Sequence, residues 1–186
     1  DKTAARKKQT KEEVMVNFKN YKSQVERILN FEGQNAAKIK FNSKWLAKLT
    51  FEDIIELASY FTVQQFIERD MYQKRIKEEK PIYLHEFLYP LMQGYDSIAM
   101  DVDLEIGGND QTFNMMAGRH LMRDVKNKEK FVLCMKLLAD NSGKKMGKTD
   151  GNAIYLTDSA AEMYGKVMSW PDNLIENGIE LLTYFP

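Results

Sequence analysis

Cysteine is nearly absent from this 186-residue chain. Cys134 stands alone, which excludes an internal disulfide and fits a reducing compartment. An excess of one charge is absent too. The 27 Lys and Arg balance 27 Asp and Glu, so no global field draws the chain onto nucleic acid or membrane. Any RNA contact has to come from local patches. No apolar run approaches the roughly 20 residues that a membrane-spanning helix needs. There is neither a signal peptide nor an initiator methionine, and the opening Asp1-Lys2-Thr3 reads as a fragment or a processed piece. Repeats, low-complexity tracts, a GxGxxG fingerprint, metal-ligand spacing and an evident Ser–His or Cys–His pair are missing as well. What remains, 44% apolar and 29% charged, supports one core and at most a small second subdomain.

The basic residues Lys2, Arg6, Lys7 and Lys8 mark residues 1–9 as a loop. Thr10 with Glu13 predicts a capping box for a helix carrying Val14, Phe18, Tyr21, Val25 and Ile28, which Gly33 ends. Ala37–Asn42 alternates, as a short strand or an extended connector does. Residues 51–79 are helical in pattern, and Pro81 breaks the chain before a helix over 83–95. Ile98 to Ile106 then reads as a strand feeding the Gly107-Gly108 turn and a helix near 111–123. Phe131 to Leu138 has the length and apolarity of a parallel strand buried on both faces, with Cys134 as a small buried hydrophobe. Strand, helix and strand in that order predict an α/β class. Two further helices follow, over about 159–169 (capped by Asp158 or Ser159) and about 173–183.

Three stretches carry chemistry. Tyr89, Gln93 and Asp96 in YPLMQGYD stand at i, i+4 and i+7, a polar stripe among apolar neighbours on one helix. Polar groups aimed at a core are either satisfied by neighbouring helices or line a ligand cavity. IGGNDQ, Ile106–Gln111, ends a strand with two residues lacking a Cβ. It is either a tight turn capped by Asp110 or a place where a ligand meets backbone, with Asp110 accepting ribose hydroxyls. Lys144, Lys145 and Lys148, among Gly143, Gly147 and Gly151, form a solvated loop or a mobile cationic loop for a leaving pyrophosphate, with Thr149 as a further donor. His85 and His120 read as surface or satisfied histidines. The charged run 68–80 is a solvated face, unless Arg69, Lys74, Arg75 and Lys77 meet RNA phosphates.

In this order and spacing, YPLMQGYD, IGGNDQ and KMGKT (Lys145–Thr149) resemble the tyrosine-pocket helix, strand-turn and KMSKS loop of bacterial tyrosyl-tRNA synthetases, in class I. The resemblance runs from Asp1 to Pro186. It implies the second half of a Rossmann-like nucleotide-binding fold with a helical connective insertion. The parts would be a basic loop over 1–9, a mainly helical region with the insertion over 10–82, the second half of the catalytic fold with the lysine loop over 83–150, and the start of the following helical region over 151–186. By the same resemblance Asp96 accepts a hydrogen bond from the substrate phenol, while Tyr89 and Gln93 hold its α-ammonium. Gln111 faces the tyrosine carboxylate, Asp110 binds the ribose and Gly108 packs beneath the nucleotide. Lys145, Met146, Lys148 and Thr149 belong to the loop that meets ATP and stabilises the departing pyrophosphate. DKTAAR resembles the stretch after the family's GDPS turn, which adds Lys2 and Arg6 as cations.

The implied activity is cytoplasmic: ATP, with Mg2+, activates L-tyrosine to tyrosyl-adenylate, which is transferred to tRNA(Tyr). A homodimer would form through the insertion helices, with Phe61, Phe66, Tyr83 and Leu84 as an exposed apolar face. No tightly bound metal and no membrane enter that reading. There are departures from the family pattern. Glu105 stands where glutamine is usual, and Thr112-Phe113 replace the frequent Trp-Gly. A HIGH-type sequence, the first-strand tyrosine, the aspartate of the GDPS turn and most of the anticodon-reading region are missing, so the isolated chain is expected to be inactive. The alternatives are a non-catalytic dimerising module and another class I synthetase such as the tryptophanyl branch. A phenol-directed Asp96 argues against the latter.

Overall fold

Among the described residues, four helices begin at a hydroxyl. Thr10, Thr50, Thr62 and Ser159 each accept from the backbone N–H three residues on, and Glu13, Asp53, Gln65 and Glu162 reach back to the capping residue's own N–H. Each box satisfies two amides that the first helical turn otherwise leaves unpaired. The computed structural model describes residues 10–19, 21–139 and 153–184. Lys2, Arg6 and the lysine loop with Lys145, Met146, Lys148 and Thr149 lie outside the described residues.

In chain order the helices are α1 (Lys11–Phe18), α2 (Tyr21–Val25), α3 (Ser43–Leu46), α4 (Phe51–Ser59), α5 (Val63–Ile67), α6 (Asp70–Lys77), α7 (His85–Met100), α8 (Thr112–Lys126), α9 (Ala160–Met168) and α10 (Ile175–Leu182). The strands are β1 (Leu104–Gly108) and β2 (Phe131–Met135). Two compact units result: Phe41–Leu137, and Asp1–Lys40 together with Leu138–Pro186. Among the described residues, no helix is long and apolar enough to cross a membrane.

The 41–137 unit is α/β. β1 and β2 pair in parallel, from Leu104 opposite Phe131 to Gly108 opposite Met135, with α8 as the crossover. α7 lies close against α8 because the contact is made of small residues. A Cβ at Gly94 would fall 2.8 Å from Leu121 Cδ1, and one at Gly118 would fall 2.4 Å from Lys130 Nζ and 2.6 Å from Ser97 Oγ. Met115, Leu121 and Met122 are buried beside this contact. α7 ends at Asp101, whose left-handed φ of 53° lets Val102 N–H reach back to Ser97 O.

The helices of residues 51–77 are held by aromatic rings. Phe66 is buried, with Phe61, Phe87 and Phe113 packed edge-on at 5.8, 5.3 and 5.3 Å between centroids. Such pairs add roughly 0.5–1.5 kcal/mol each beyond the area they bury. Arg75 does not face water or RNA: it is buried and pairs with Glu86 through both guanidinium nitrogens, at 2.9 and 2.5 Å. That bond is the main cause of Glu86's lowered pKa. Arg69 stacks over Phe113 at 4.5 Å.

Several expectations are corrected. The helical stretch 51–79 is three helices, because Thr62 caps a new one. Of the two readings of Ala37–Asn42, the connector holds and the strand does not. β2 is shorter than expected and is not buried on both faces. α8 covers one side, while Leu104, Ile106, Phe131, Leu133 and Met135 form an exposed apolar face on the other. Cys134 is exposed rather than buried, with its sulfur 3.2 Å from Thr112 Oγ1. Phe66 belongs to the core and Phe61 packs against it, so of the expected exposed face only Tyr83 and Leu84 are exposed.

The other unit is described by itself. Phe18 stacks on Tyr21 at 5.7 Å, and Gly33 turns the chain at φ 80°. Lys166 pairs with Asp158 at 2.5 Å across the start of α9. Trp170 packs where a Cβ on Gly178 of α10 would stand, and Leu174 is buried.

Candidate functional site

Among the described residues, one face of α7, the strand β1 and Asn42 border an open cavity. Asn42, Tyr89, Met92, Gln93, Asp96, Ser97, Met100, Val102, Leu104, Glu105 and Ile106 line about 440 Å³. Tyr89, Gln93 and Asp96 stand together there because seven residues make two helical turns. The expected stripe is therefore a cavity wall, and its polar groups are only partly consumed by neighbours.

Asp96 receives two donors from α3 and the residue before it. Trp45 Nε1 donates to Oδ1 at 2.6 Å and Asn42 Nδ2 to Oδ2 at 3.4 Å. Burial raises the carboxyl's pKa above the ordinary aspartate value; the two donors pull it down, and the charge of Glu105 pushes it up. A half-buried carboxylate with acceptor capacity left is suited to a neutral hydroxyl donor.

Gln93 and Gln111 have fixed amides. Gln93 Nε2 donates to Glu105 Oε1 at 2.9 Å, and a carboxylate only accepts, so the Gln93 carbonyl oxygen is turned away from it. Gln111 Oε1 accepts from Asn114 Nδ2 at 3.1 Å, so the Gln111 amide nitrogen is the end left to donate. Asn114 is buried, and its Oδ1 has no hydrogen-bond partner among the described residues. One side chain thus offers an acceptor and another a donor.

Glu105 is charge-paired from inside the fold. Lys130 is wholly buried; its ammonium meets Glu105 Oε2, Ser97 Oγ at 2.8 Å and the Met115 carbonyl at 3.2 Å, which uses all three N–H groups.

Gly108, Asp110 and Gln111 do not line this cavity. β1 leaves it at Ile106, and Asn109–Gln111 form a turn of 3-10 helix leading into α8. The space a side chain at Gly108 would need is occupied by Leu137 Cδ2, at 2.7 Å, and by Asp110 Oδ1, at 2.8 Å. Asp110 is exposed, and the N-cap positions of this turn and of α8 are Gly108 and Gln111, neither of which makes a side-chain cap bond. His120 is satisfied, with Nε2 2.9 Å from Tyr60 O.

Trp45, Asn42 and Lys130 escaped the sequence reading. Trp45 lies 51 residues from Asp96, and no local period connects them. For Lys130 a signal existed: Glu105 stands in a stretch read as a strand feeding the Gly107-Gly108 turn, and a carboxylate drawn into the fold there demands a cationic partner.

A family model described as tRNA synthetases class I (W and Y) matches residues 1–186. The tyrosine--tRNA ligase of Carboxydothermus hydrogenoformans is 46% identical over 186 residues, 100% of this chain and 44% of that protein. That of Moorella thermoacetica is 44% identical over 186 residues, again 100% of this chain and 44% of that protein. In fold, the chain is similar to the solved tyrosyl-tRNA synthetase of Archaeoglobus fulgidus complexed with L-tyrosine. The TM-score is 0.67 at 21% identity, over 93% of this chain and 56% of that one. The chain therefore spans less than half the length of the curated relatives it matches. With the whole of its length inside the family model, it belongs to the class I tRNA synthetases of the tryptophan and tyrosine branches.

Proposed function

We propose that this chain supplies one wall of the tyrosine pocket, and part of the nucleotide site, of a tyrosine–tRNA ligase. The observation that carries the reading is the convergence of Tyr89, Gln93 and Asp96 on one cavity. Asp96 accepts the phenol's hydrogen, which phenylalanine would leave unmatched. Tyr89 and the outward carbonyl of Gln93 take the ammonium, and the free amide end of Gln111 donates to the carboxylate. A zwitterion needs one acceptor and one donor: the Gln93 carbonyl stands in the cavity as the acceptor, and the Gln111 amide nitrogen, on the turn beyond Ile106, is proposed as the donor.

The reaction follows from that placement. The tyrosine carboxylate attacks the α-phosphorus of ATP, an oxygen–phosphorus bond forms, and pyrophosphate leaves with the bonding pair. The terminal ribose hydroxyl of tRNA(Tyr) then attacks the activated carbonyl and releases AMP. No general base is demanded at the first step, since the carboxylate is already ionised; positioning and cations supply the acceleration. Lys145, Lys148, Thr149, Lys2 and Arg6 are proposed to meet the pyrophosphate, with Mg2+ arriving on ATP. Asp110, Gly108 and Met146 are proposed to border the nucleotide.

Work in the cytoplasm as a homodimer through the helices of residues 51–95 belongs to the same proposal. Phe51, Ile55, Val63, Leu84 and Leu88 are exposed there, and a self-complementary apolar patch is what a two-fold interface uses.

The test is tyrosine-dependent ATP–pyrophosphate exchange by the longest natural polypeptide that contains this sequence. Asp96→Ala and Lys148→Ala are each expected to lower exchange about tenfold or more, the effect of losing a charge-assisted bond. Absence of exchange in that polypeptide, or exchange driven by tryptophan, overturns the reading. The 186-residue chain alone is expected to give none.

A further inference from the structure

We infer that Lys130 is a positioning residue for ligand recognition: through Glu105 it fixes the Gln93 amide so that its carbonyl oxygen faces a cationic group in the cavity. The inference rests on the tyrosine-pocket reading and extends it to a side chain that never reaches the ligand space.

The geometry is a chain of obligate donors and acceptors. The Lys130 ammonium is wholly buried and can only donate. It spends its three hydrogens on Ser97 Oγ at 2.8 Å, the Met115 carbonyl at 3.2 Å and Glu105 Oε2. A buried cation of this kind persists only when paired and fully hydrogen-bonded, and here it is. Its partner Glu105 presents two carboxylate oxygens, one taken by this ammonium and one left to accept. Glu105 Oε1 accordingly takes the Gln93 amide nitrogen, at 2.9 Å. An amide has two ends, so fixing the nitrogen fixes the oxygen. Gln93 lines the cavity, and its oxygen becomes the acceptor available to a ligand ammonium.

The fold reserves space for this arrangement. A Cβ at Gly118 would stand 2.4 Å from Lys130 Nζ, so only glycine on α8 admits the ammonium against α7. Glu105 and Lys130 lie on different strand segments, Lys130 immediately before β2, and α7 supplies both Ser97 and Gln93. One cation thereby ties strand, crossover helix and pocket helix to the orientation of one side chain.

The test compares two ligands by calorimetric titration of the same natural polypeptide: L-tyrosine, and its des-amino analogue with hydrogen in place of the ammonium. Lys130→Met removes the partner that holds Glu105 in place, so the preference for L-tyrosine should fall about tenfold while the analogue binds as before. Lys130→Met with Glu105→Gln should restore the preference to within about twofold, because the introduced amide can accept from Gln93 and donate toward Ser97. Lys130→Met with Glu105→Ala buries no charge and offers no acceptor, so it should lose the preference. This neutral pair of double variants decides the matter even if the single variant does not fold.

Equal weakening of both ligands, or an unchanged preference in the Ala double variant, overturns the inference and leaves Lys130 a purely structural ion pair. If the unsubstituted protein binds neither ligand, the tyrosine-pocket reading itself fails, and this inference with it.

Discussion

At the scale of single residues, the cavity keeps a carboxylate where water is scarce, and that has a stability cost. Burial raises the Asp96 pKa, and the Trp45 and Asn42 donors offset only part of the rise. A raised folded pKa means that the stability this group contributes is present below its unfolded value and lost as pH rises through the folded one. At about pH 7 the ionised Asp96 therefore opposes folding. Asp96→Asn should melt no lower than the unsubstituted chain at that pH, and up to a few degrees higher. The gap should close as pH falls into the carboxyl range, where both side chains are neutral. Melting followed by circular dichroism between about pH 7 and pH 4 checks the sign. A variant that melts lower at neutral pH would mean that the Trp45 bond to the charged oxygen outweighs desolvation. In the longest natural polypeptide that contains this sequence, tyrosine-dependent exchange should fall on the same substitution, separating what Asp96 is proposed to do for recognition from what it does for the fold.

Among the elements, local signals were legible and distant ones were not. The capping box at Thr10 was legible because a box is four consecutive residues, and the cap of α9 was narrowed to Asp158 or Ser159, of which the structure uses Ser159. The stripe on α7 was visible because helical period is local. Trp45 against Asp96 and Lys130 against Glu105 were invisible, since each pairing depends on how α7, α8 and the strands pack. The apolar run around Cys134 misled for a related reason: apolarity states a demand for cover, not that cover is present. Packing of elements also yields a contrast between two glycines. Gly118 of α8 has no room for a Cβ, whereas Gly165 of α9 has nothing within 4 Å. Gly118→Ala should cost about 2 kcal/mol or more, because either the buried ammonium or the helix contact must shift. Gly165→Ala should stabilise by about 0.5–1 kcal/mol, since alanine loses less entropy in a helix. Urea unfolding of the two variants reads both signs, and a neutral Gly118→Ala would show that α7 and α8 can part at little cost.

For the whole molecule, the sheet face opposite α8 is the largest consequence of having only two strands among the described residues. Leu104, Ile106, Phe131, Leu133 and Met135 are 49, 61, 65, 46 and 52% exposed, and parallel register places them on one side. A contiguous apolar face of this kind is uncommon on a soluble surface and binds whatever apolar partner is present. Leu104 and Ile106 also border the cavity that Asp96 lines. The 186-residue chain should therefore enhance the fluorescence of an environment-sensitive apolar dye and self-associate as concentration rises. Leu133→Thr with Met135→Thr changes two residues outside the cavity lining while keeping strand-favouring side chains at position 133 and position 135. That variant should lose up to about a third of the dye signal, in proportion to apolar area removed, with little change in melting temperature, because exposed side chains contribute little to folding. Sedimentation equilibrium should show weaker self-association in parallel. An undiminished dye signal would place the sticky surface on the exposed helices around Phe51, Ile55 and Leu84 instead, and the same pair of measurements on Ile55→Lys would then show the loss.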